Sequence, residues 1–219
     1  MKVGTDGVLL GAWFQARNTD RILDIGTGTG LLSLMAAQRF PHAKIEGIDI
    51  DENAVKQAKE NVLNSPFSKR INIHFSSFQE YSNTPFHSII CNPPYFIQSV
   101  KNPNKQRELA RHAPSIDFFK LLFQKVDTLL EPKGYFSIIF PTLDWPKIEK
   151  YIPSHWSISR LCNVHPTTTS NSKRVLIEFQ KTSKHIDTEI HSEKIIIELA
   201  RHSYTPEYIK LTKDFYIKM

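Results

Sequence analysis

Asn92, Pro93, Pro94 and Tyr95 follow the apolar run Ser88-Ile89-Ile90-Cys91 and bring together a side-chain carbonyl, backbone carbonyls and a flat ring. Proline cannot donate to a strand ladder, so a strand running into this tetrapeptide must stop there. The four residues therefore sit at a strand's carboxyl end, the edge where open α/β sheets bind ligands. An exocyclic amine on a heteroaromatic base is a poor nucleophile, because its lone pair is delocalised into the ring. A site activates it by accepting hydrogen bonds from both N–H groups without offering a competing donor. Asn92 offers a side-chain carbonyl, Pro93 a backbone carbonyl, and neither proline has an N–H. Tyr95, with Phe96 beside it, supplies a face on which an unpaired base stacks, an interaction worth about 1–3 kcal/mol. The competing reading is a Pro-Pro pair that only terminates a strand.

A second cluster lies upstream, in Asp24-Ile25-Gly26-Thr27-Gly28-Thr29-Gly30. Its glycines let the backbone turn tightly while a nucleotide-sized ligand lies against it. The spacing is G-x-G-x-G, with an aspartate two residues before the first glycine, and differs from the dinucleotide fingerprint G-x-G-x-x-G. Asp49, nineteen residues past Gly30, can accept both hydroxyls of a ribose. Asp51 precedes a helical stretch and reads as its cap.

The glycine cluster resembles motif I of the S-adenosylmethionine-dependent methyltransferases. Asn92 to Tyr95 resembles motif IV of the amino-group methyltransferases, which act on adenine N6, guanine N2 or the amide nitrogen of glutamine. The resemblance implies a cofactor site of Asp24, Gly26, Thr27, Gly28, Gly30, Asp49, Ile50 and Asn92, with no metal and no covalent enzyme intermediate. The acidic residue that usually meets the adenine amino group after the third strand is absent. Ser77 and Phe78 stand there, a hydroxyl able to accept the same hydrogen bond and a ring able to pack on adenine. Cys91 precedes the asparagine and reads as a small buried residue rather than a nucleophile.

The elements that must position these clusters alternate from residue 21 onward. Strands are expected at RILDIG, KIEGID, INIHF, HSIIC and GYFSIIF, and helices at LLSLMAAQRF, DENAVKQAKENVLN and SIDFFKLLFQKVDTLL, the last capped by Ser115. This order predicts βαβ units and a mainly parallel sheet. SISRLCNV and RVLIEFQK, joined by a polar turn, predict an antiparallel hairpin; a strand near EKIIIEL and a helix near PEYIKLTKDFY follow. The chain of 219 residues is long enough for one such domain, 1–219, and its 40% apolar and 23% charged content is that of a soluble globular protein. No apolar run approaches the roughly 18 residues of a membrane span. The first residues do not read as a signal peptide, and two cysteines without paired spacing argue against a zinc site or disulfide framework, so a cytoplasmic protein is expected. A formal net charge of +6 favours a nucleic-acid partner.

MKVGTDGVLLGAW, the pairing of DIGTGTGLLSLMAAQR with CNPPYF, and the closing SKRVLIEF and YTPEYIKLTKDFYIKM together resemble the bacterial tRNA1(Val) (adenine(37)-N6)-methyltransferase family along essentially the whole chain. That family implies a Rossmann-like class I fold: a mainly parallel seven-stranded sheet with helices on both faces and a C-terminal antiparallel hairpin. It implies S-adenosylmethionine as cofactor and a tRNA anticodon loop as partner, with a monomer favoured. Carried over, Lys2, Thr5 and Gly7 lie near the methionine end of the cofactor; helix capping is an equal reading of Thr5 and Asp6. Family members have a further stretch ahead of MKVGTDG, so part of the cofactor lid is expected to be missing. Lys101, Lys105, Arg107 and Arg111, just after the tetrapeptide, suit RNA phosphates, as do Lys173 and Arg174 in the hairpin turn. A solvated connector is the plain reading of the 99–113 segment. Two other functions compete: a glutamine-N5 methyltransferase acting on a protein such as a release factor, and a catalytically silent binding module. The first normally carries a sizeable helical domain before the glycine loop, and the intact Asp24, Asp49 and Asn92 oppose the second.

Overall fold

A computed structural model of the chain describes residues 4–17, 19–94, 116–182 and 190–217. Lys2, Tyr95, Phe96, Lys101, Lys105, Arg107, Arg111 and the expected cap Ser115 lie outside the described residues.

Nine strands form one sheet: β1 (Arg21–Ile25), β2 (Lys44–Asp49), β3 (Ile71–Phe75), β4 (Phe86–Cys91), β5 (Leu130–Pro141), β6 (Trp156–Thr167), β7 (Arg174–Lys181), β8 (His191–Ala200) and β9 (Ser203–Tyr204). Their order is β3-β2-β1-β4-β5-β7-β6-β8-β9. The first five run parallel, and β7 inserts antiparallel between β5 and β6. The β6–β7 pair is the expected hairpin. β8 then pairs parallel to β6 and β9 folds back on it, so the sheet extends two strands beyond the seven of the family pattern.

Helices α1 (Thr5–Trp13), α2 (Leu31–Arg39), α3 (Glu52–Leu63), α4 (Ile116–Leu129), a single turn α5 (Trp145–Ile148) and α6 (Pro206–Thr212) cover the sheet. On α3, Ala54, Val55, Ala58 and Val62 recur at helical spacing and are buried, and Asp51 caps the helix by accepting from Asn53 N (2.9 Å) and Ala54 N (3.3 Å). The central strands β1 and β4 are buried almost throughout, as strands covered by helices on both faces must be, whereas the edge strand β3 exposes Asn72 and His74. Ile22, Ile90, Ile139 and Leu176 join the core under α1, α2, α3 and α6. Leu23, Ile89, Ile138 and Ile177 face the opposite core, built on α4. There Phe123 meets Phe136, Trp156 and Phe179 edge-on at 5.6–5.9 Å.

Three arginines hold helix α1 in place. At its carboxyl end Arg39 donates to Gly11 O (2.8 Å) and Phe14 O, while Arg160 of β6 donates to Trp13 O (3.1 Å) and lies 4.0 Å over the Trp13 ring. Guanidinium groups thus meet carbonyls that the helix itself leaves unpaired. At the amino end, Arg174 Nε donates to Asp6 Oδ2 at 2.8 Å. Arg160 also pairs with the carboxylate of Glu178 at 3.1 and 3.2 Å, and Glu178 is only 4% exposed.

Removing one partner of a buried ion pair leaves an uncompensated charge, so Arg160→Ala should cost about 3–5 kcal/mol of stability. Urea unfolding should show the midpoint falling with an unchanged slope. A loss below about 1 kcal/mol would mean that Glu178 is hydrated and that this pair does not fasten α1.

Candidate active site

Strand pairing brings the two sequence clusters together. β1 lies directly beside β4, with Ile25 opposite Cys91, so the glycine loop leaving β1 and the Asn92-Pro93-Pro94 turn leaving β4 emerge side by side. Adjacent strands are about 4.8 Å apart. On the other flank, Gly26 N and Thr27 N both donate to Ile48 O, at 2.9 and 3.0 Å, which ties the loop to the end of β2 and hence to Asp49.

Gly26, Gly28 and Gly30 all have positive φ, at 71°, 57° and 85°. A side chain there would strain the turn. At Gly26, moreover, an added Cβ would meet no atom within 4 Å, so the backbone faces open space in which a ligand can lie against it.

Asp24 is fully buried below this loop. Its Oδ2 accepts from Thr27 Oγ1 (2.6 Å), Ser33 Oγ (2.8 Å) and Ser33 N (3.1 Å), so the carboxylate also caps the first turn of α2. Among the described residues, its Oδ1 is the one buried side-chain oxygen or nitrogen with no hydrogen-bond partner. Burial pushes the Asp24 carboxyl up to about 6, opposed by the Thr27 and Ser33 hydrogen bonds and assisted by the neighbouring Asp49 charge. Asp49 accepts one N–H on each oxygen, from Gly28 (2.8 Å) and Asp51 (2.9 Å), and carboxylate oxygens have further lone pairs to offer. Ile50, next in the chain, is 71% exposed.

These features fit S-adenosylmethionine. The open face of the glycine loop suits a chain laid across it, Asp49 a pair of ribose hydroxyls, and Ile50 the face of an adenine, with the buried Asp24 carboxylate adding negative charge beneath the loop. Two carboxylates on one edge also favour a cationic ligand.

Other expected residues fall differently. Gly7 of α1 sits over the site: an added Cβ would lie in ordinary contact with Asn92 Nδ2 at 3.7 Å and crowd Leu31 Cδ2 at 3.1 Å, so a side chain here would require Leu31 to shift. Thr5, two residues away, instead lines a separate cavity, and the α1 N-terminus has no side-chain cap. The Thr27 hydroxyl turns inward to Asp24. The Phe78 ring is 8% exposed and packs perpendicular to Phe118 of α4 at 5.4 Å, as a member of the core on that face of the sheet. Ser77 Oγ is engaged with Glu80, donating to its carboxylate (3.1 Å) and accepting from its N–H (3.3 Å). Asn92 is half-buried, Pro93 buried and Pro94 exposed. Lys173 is exposed on the same sheet edge, whereas Arg174 is committed to Asp6. Burial holds the Cys91 thiol far above its ordinary value, with Asp24 and Asp49 adding to the effect, so it is no nucleophile. Sequence reasoning misses Ser33 and Leu31; for Ser33 the available signal is a hydroxyl at the third position of α2. No His, Cys, Asp or Glu cluster among the described residues could hold a metal ion.

The raised Asp24 pKa has a definite sign. The protonated form stabilises the ligand-free fold, a contribution present below about 4 and lost as pH rises through about 6. A cationic ligand laid on the loop favours the ionised form of the carboxyl beneath it, so proton and ligand compete. The Kd for S-adenosylmethionine should therefore be level near pH 7 and weaken toward tenfold per unit below about 6, and Asp24→Asn should flatten that profile. Calorimetric titrations from about pH 5 to about 7.5 measure this directly; a constant wild-type Kd over that range would remove Asp24 from the ligand site.

Known proteins bear on the same geometry. The methyltransferase small domain family matches residues 3–117. Proteins of Bacteroides fragilis (strain YCH46) and Phocaeicola vulgatus, both named tRNA1(Val) (adenine(37)-N6)-methyltransferase, are 44% and 45% identical over the whole of this chain and 92% of their own length. Among solved structures, an Agrobacterium tumefaciens protein named as a predicted O-methyltransferase superposes with a TM-score of 0.73 at 19% identity, covering 95% of this chain and 96% of that one. The magnesium protoporphyrin IX methyltransferase of Synechocystis, solved with bound S-adenosylmethionine, gives 0.55 at 16% identity, covering 74% and 70%. The two structures establish a shared fold with class I methyltransferases. Identity of this order, sustained over the whole of this chain, makes the chain a member of the tRNA1(Val) (adenine(37)-N6)-methyltransferase family.

Proposed function

We infer that the protein transfers a methyl group from S-adenosylmethionine to the N6 amino group of adenine 37 in tRNA1(Val), next to the anticodon. One observation carries the chemistry: the Asn92-Pro93-Pro94 turn leaves β4 beside the glycine loop that leaves β1. S-adenosylmethionine, when bound, supplies a methyl group made electrophilic by the sulfonium.

The protein's own residues prepare the amine. The Asn92 side-chain carbonyl accepts one N–H of N6 and the Pro93 backbone carbonyl accepts the other, which returns electron density to the nitrogen as the ring withdraws it. Neither proline offers an N–H to compete for the lone pair. Such acceptors act most strongly where water is excluded, and Pro93 is buried. The surplus proton leaves to water after alkylation, so no side chain need act as a strong base. Tyr95 and Phe96 stack on the extruded adenine. Lys101, Lys105, Arg107, Arg111 and Lys173 meet tRNA phosphates, an affinity that falls as salt rises. Arg174 belongs to this set only through its ion pair with Asp6, which fixes the first turn of α1. The reaction takes place in the cytoplasm. Within the described residues, no helix is long and apolar enough to cross a membrane.

The experiment combines acceptor and residue. Purified protein with labelled S-adenosylmethionine should methylate tRNA and yield N6-methyladenosine on digestion, and should leave a release-factor protein unlabelled. Asn92→Ala should lower kcat by about 100-fold or more, the cost typical of removing one preorganised catalytic hydrogen-bonding group, with the Kd for S-adenosylmethionine nearly unchanged. Label on glutamine of the protein acceptor would select the glutamine-N5 reading. A collapse of cofactor affinity in Asn92→Ala would make the residue part of the cofactor site alone.

A further inference from the structure

A cavity of about 310 Å3 opens on the same side of the molecule as the active site, lined chiefly by Thr5, Pro166, Glu198, Tyr204, Tyr208 and Tyr216. That volume is at the lower end of pockets that hold small ligands. Pro166 lies near the carboxyl end of β6 and Glu198 near that of β8, and β8 runs parallel to β6. The first turn of α1 separates this cavity from the catalytic turn: Thr5 lines the cavity, while Gly7 faces Asn92. A helix with its side chains is about 10–12 Å across, so the two sites lie roughly one helix diameter apart. Neighbouring nucleotides of a looped strand span such a distance.

We propose that this cavity takes a second nucleobase of the substrate RNA, close in sequence to the methylated adenine, stacked on Tyr204 and hydrogen-bonded through its pairing edge to Glu198. The inference rests on the RNA adenine-methyltransferase reading. Tyr204 is half-buried and tilted 37° to Tyr208 at 5.3 Å, and the Tyr208 hydroxyl bonds that of Tyr216 at 3.2 Å. The rings therefore hold one another in place, with Tyr208 buried behind Tyr204. A preformed aromatic platform suits a base, because every base has a π-face. Among the described residues no cation pairs with Glu198. An ionised carboxylate only accepts hydrogen bonds and repels phosphate, so it selects a base edge that donates. Guanine offers two adjacent donors, N1–H and the N2 amino group, one for each carboxylate oxygen, and cytosine offers its N4 amino group. Adenine 37 itself belongs to Asn92, so this second contact would set which loop sequence is methylated.

The test uses the full chain and tRNA1(Val) transcripts in which each base flanking adenine 37 is replaced in turn. KM for tRNA, kcat, Kd for S-adenosylmethionine and thermal midpoint are measured for wild type, Glu198→Gln and Tyr204→Leu. The proposal expects wild type to discriminate against replacement at one flanking position. It expects Glu198→Gln to raise KM for the unaltered tRNA by about tenfold and to lose that discrimination, with cofactor affinity and thermal midpoint retained. Should Tyr204→Leu lower the midpoint, Glu198→Gln, which keeps the size of the side chain, decides alone. If wild type methylates tRNA and Glu198→Gln keeps its KM and base preference, the cavity proposal is overturned while the functional reading stands. A variant that weakens S-adenosylmethionine binding and leaves KM for tRNA unchanged assigns the cavity to the cofactor side and equally overturns it. Failure of wild type to methylate any tRNA overturns both.

Discussion

The parallel pairing of β1 with β4 is the constraint on which the site depends. The chain lays down β1, β2 and β3 in one direction across the sheet and β4 and β5 in the other, so the crossovers diverge at the β1/β4 boundary. In open α/β sheets the crevice at such a boundary, outside the carboxyl ends of the strands, is where ligands lie. Here it receives the glycine loop from one strand and the Asn92 turn from the other. In the proposed reaction neither segment suffices alone: one would accommodate the methyl donor and the other prepare the acceptor. A ladder slip of one residue would turn Ile25 and Cys91 to the wrong faces and separate the two turns, and the two-sided core forbids it.

Electrostatics at this edge are incomplete without a ligand. Asp24 is held under the loop by Thr27, Ser33 and the start of α2, yet one of its oxygens is left without a partner, and Asp49 adds a second carboxylate nearby. An unpaired buried oxygen costs stability in the ligand-free fold, and a cationic ligand laid on the loop would offset part of that cost through its charge. The helix above the edge must then be fixed from elsewhere. Arg39 and Arg160 hold its carboxyl end and Arg174 its first turn, so that Gly7 can press close to Asn92.

Much of this is legible in the sequence because it is local. The glycine spacing, the prolines after an apolar run and the Asp51 cap depend on neighbours within a few positions, and the strands and helices they predict are present. What is not legible depends on contacts between distant segments. Arg160 meets the backbone of Trp13 across 147 positions and Arg174 meets Asp6 across 168. No local pattern encodes either pair, and Arg174 therefore reads as an RNA contact when the sequence is taken alone. Phe78 is expected at the adenine because of its place after β3, and its packing against Phe118, on a helix that comes much later in the chain, has no local signal. The seven strands expected from the family pattern likewise give no sign of β9, two residues long and defined only by its pairing with β8.

The central claim is that the Asn92 turn and the glycine loop together place a methyl group on N6 of adenine 37. Mass spectrometry of tRNA1(Val) fragments from cells with and without the gene reads that outcome most directly. The account predicts N6-methyladenosine at position 37 when the gene is present and unmodified adenosine there when it is deleted. An unchanged mark at position 37 after deletion, with loss of a methyl group from another position or from a protein, would contradict it.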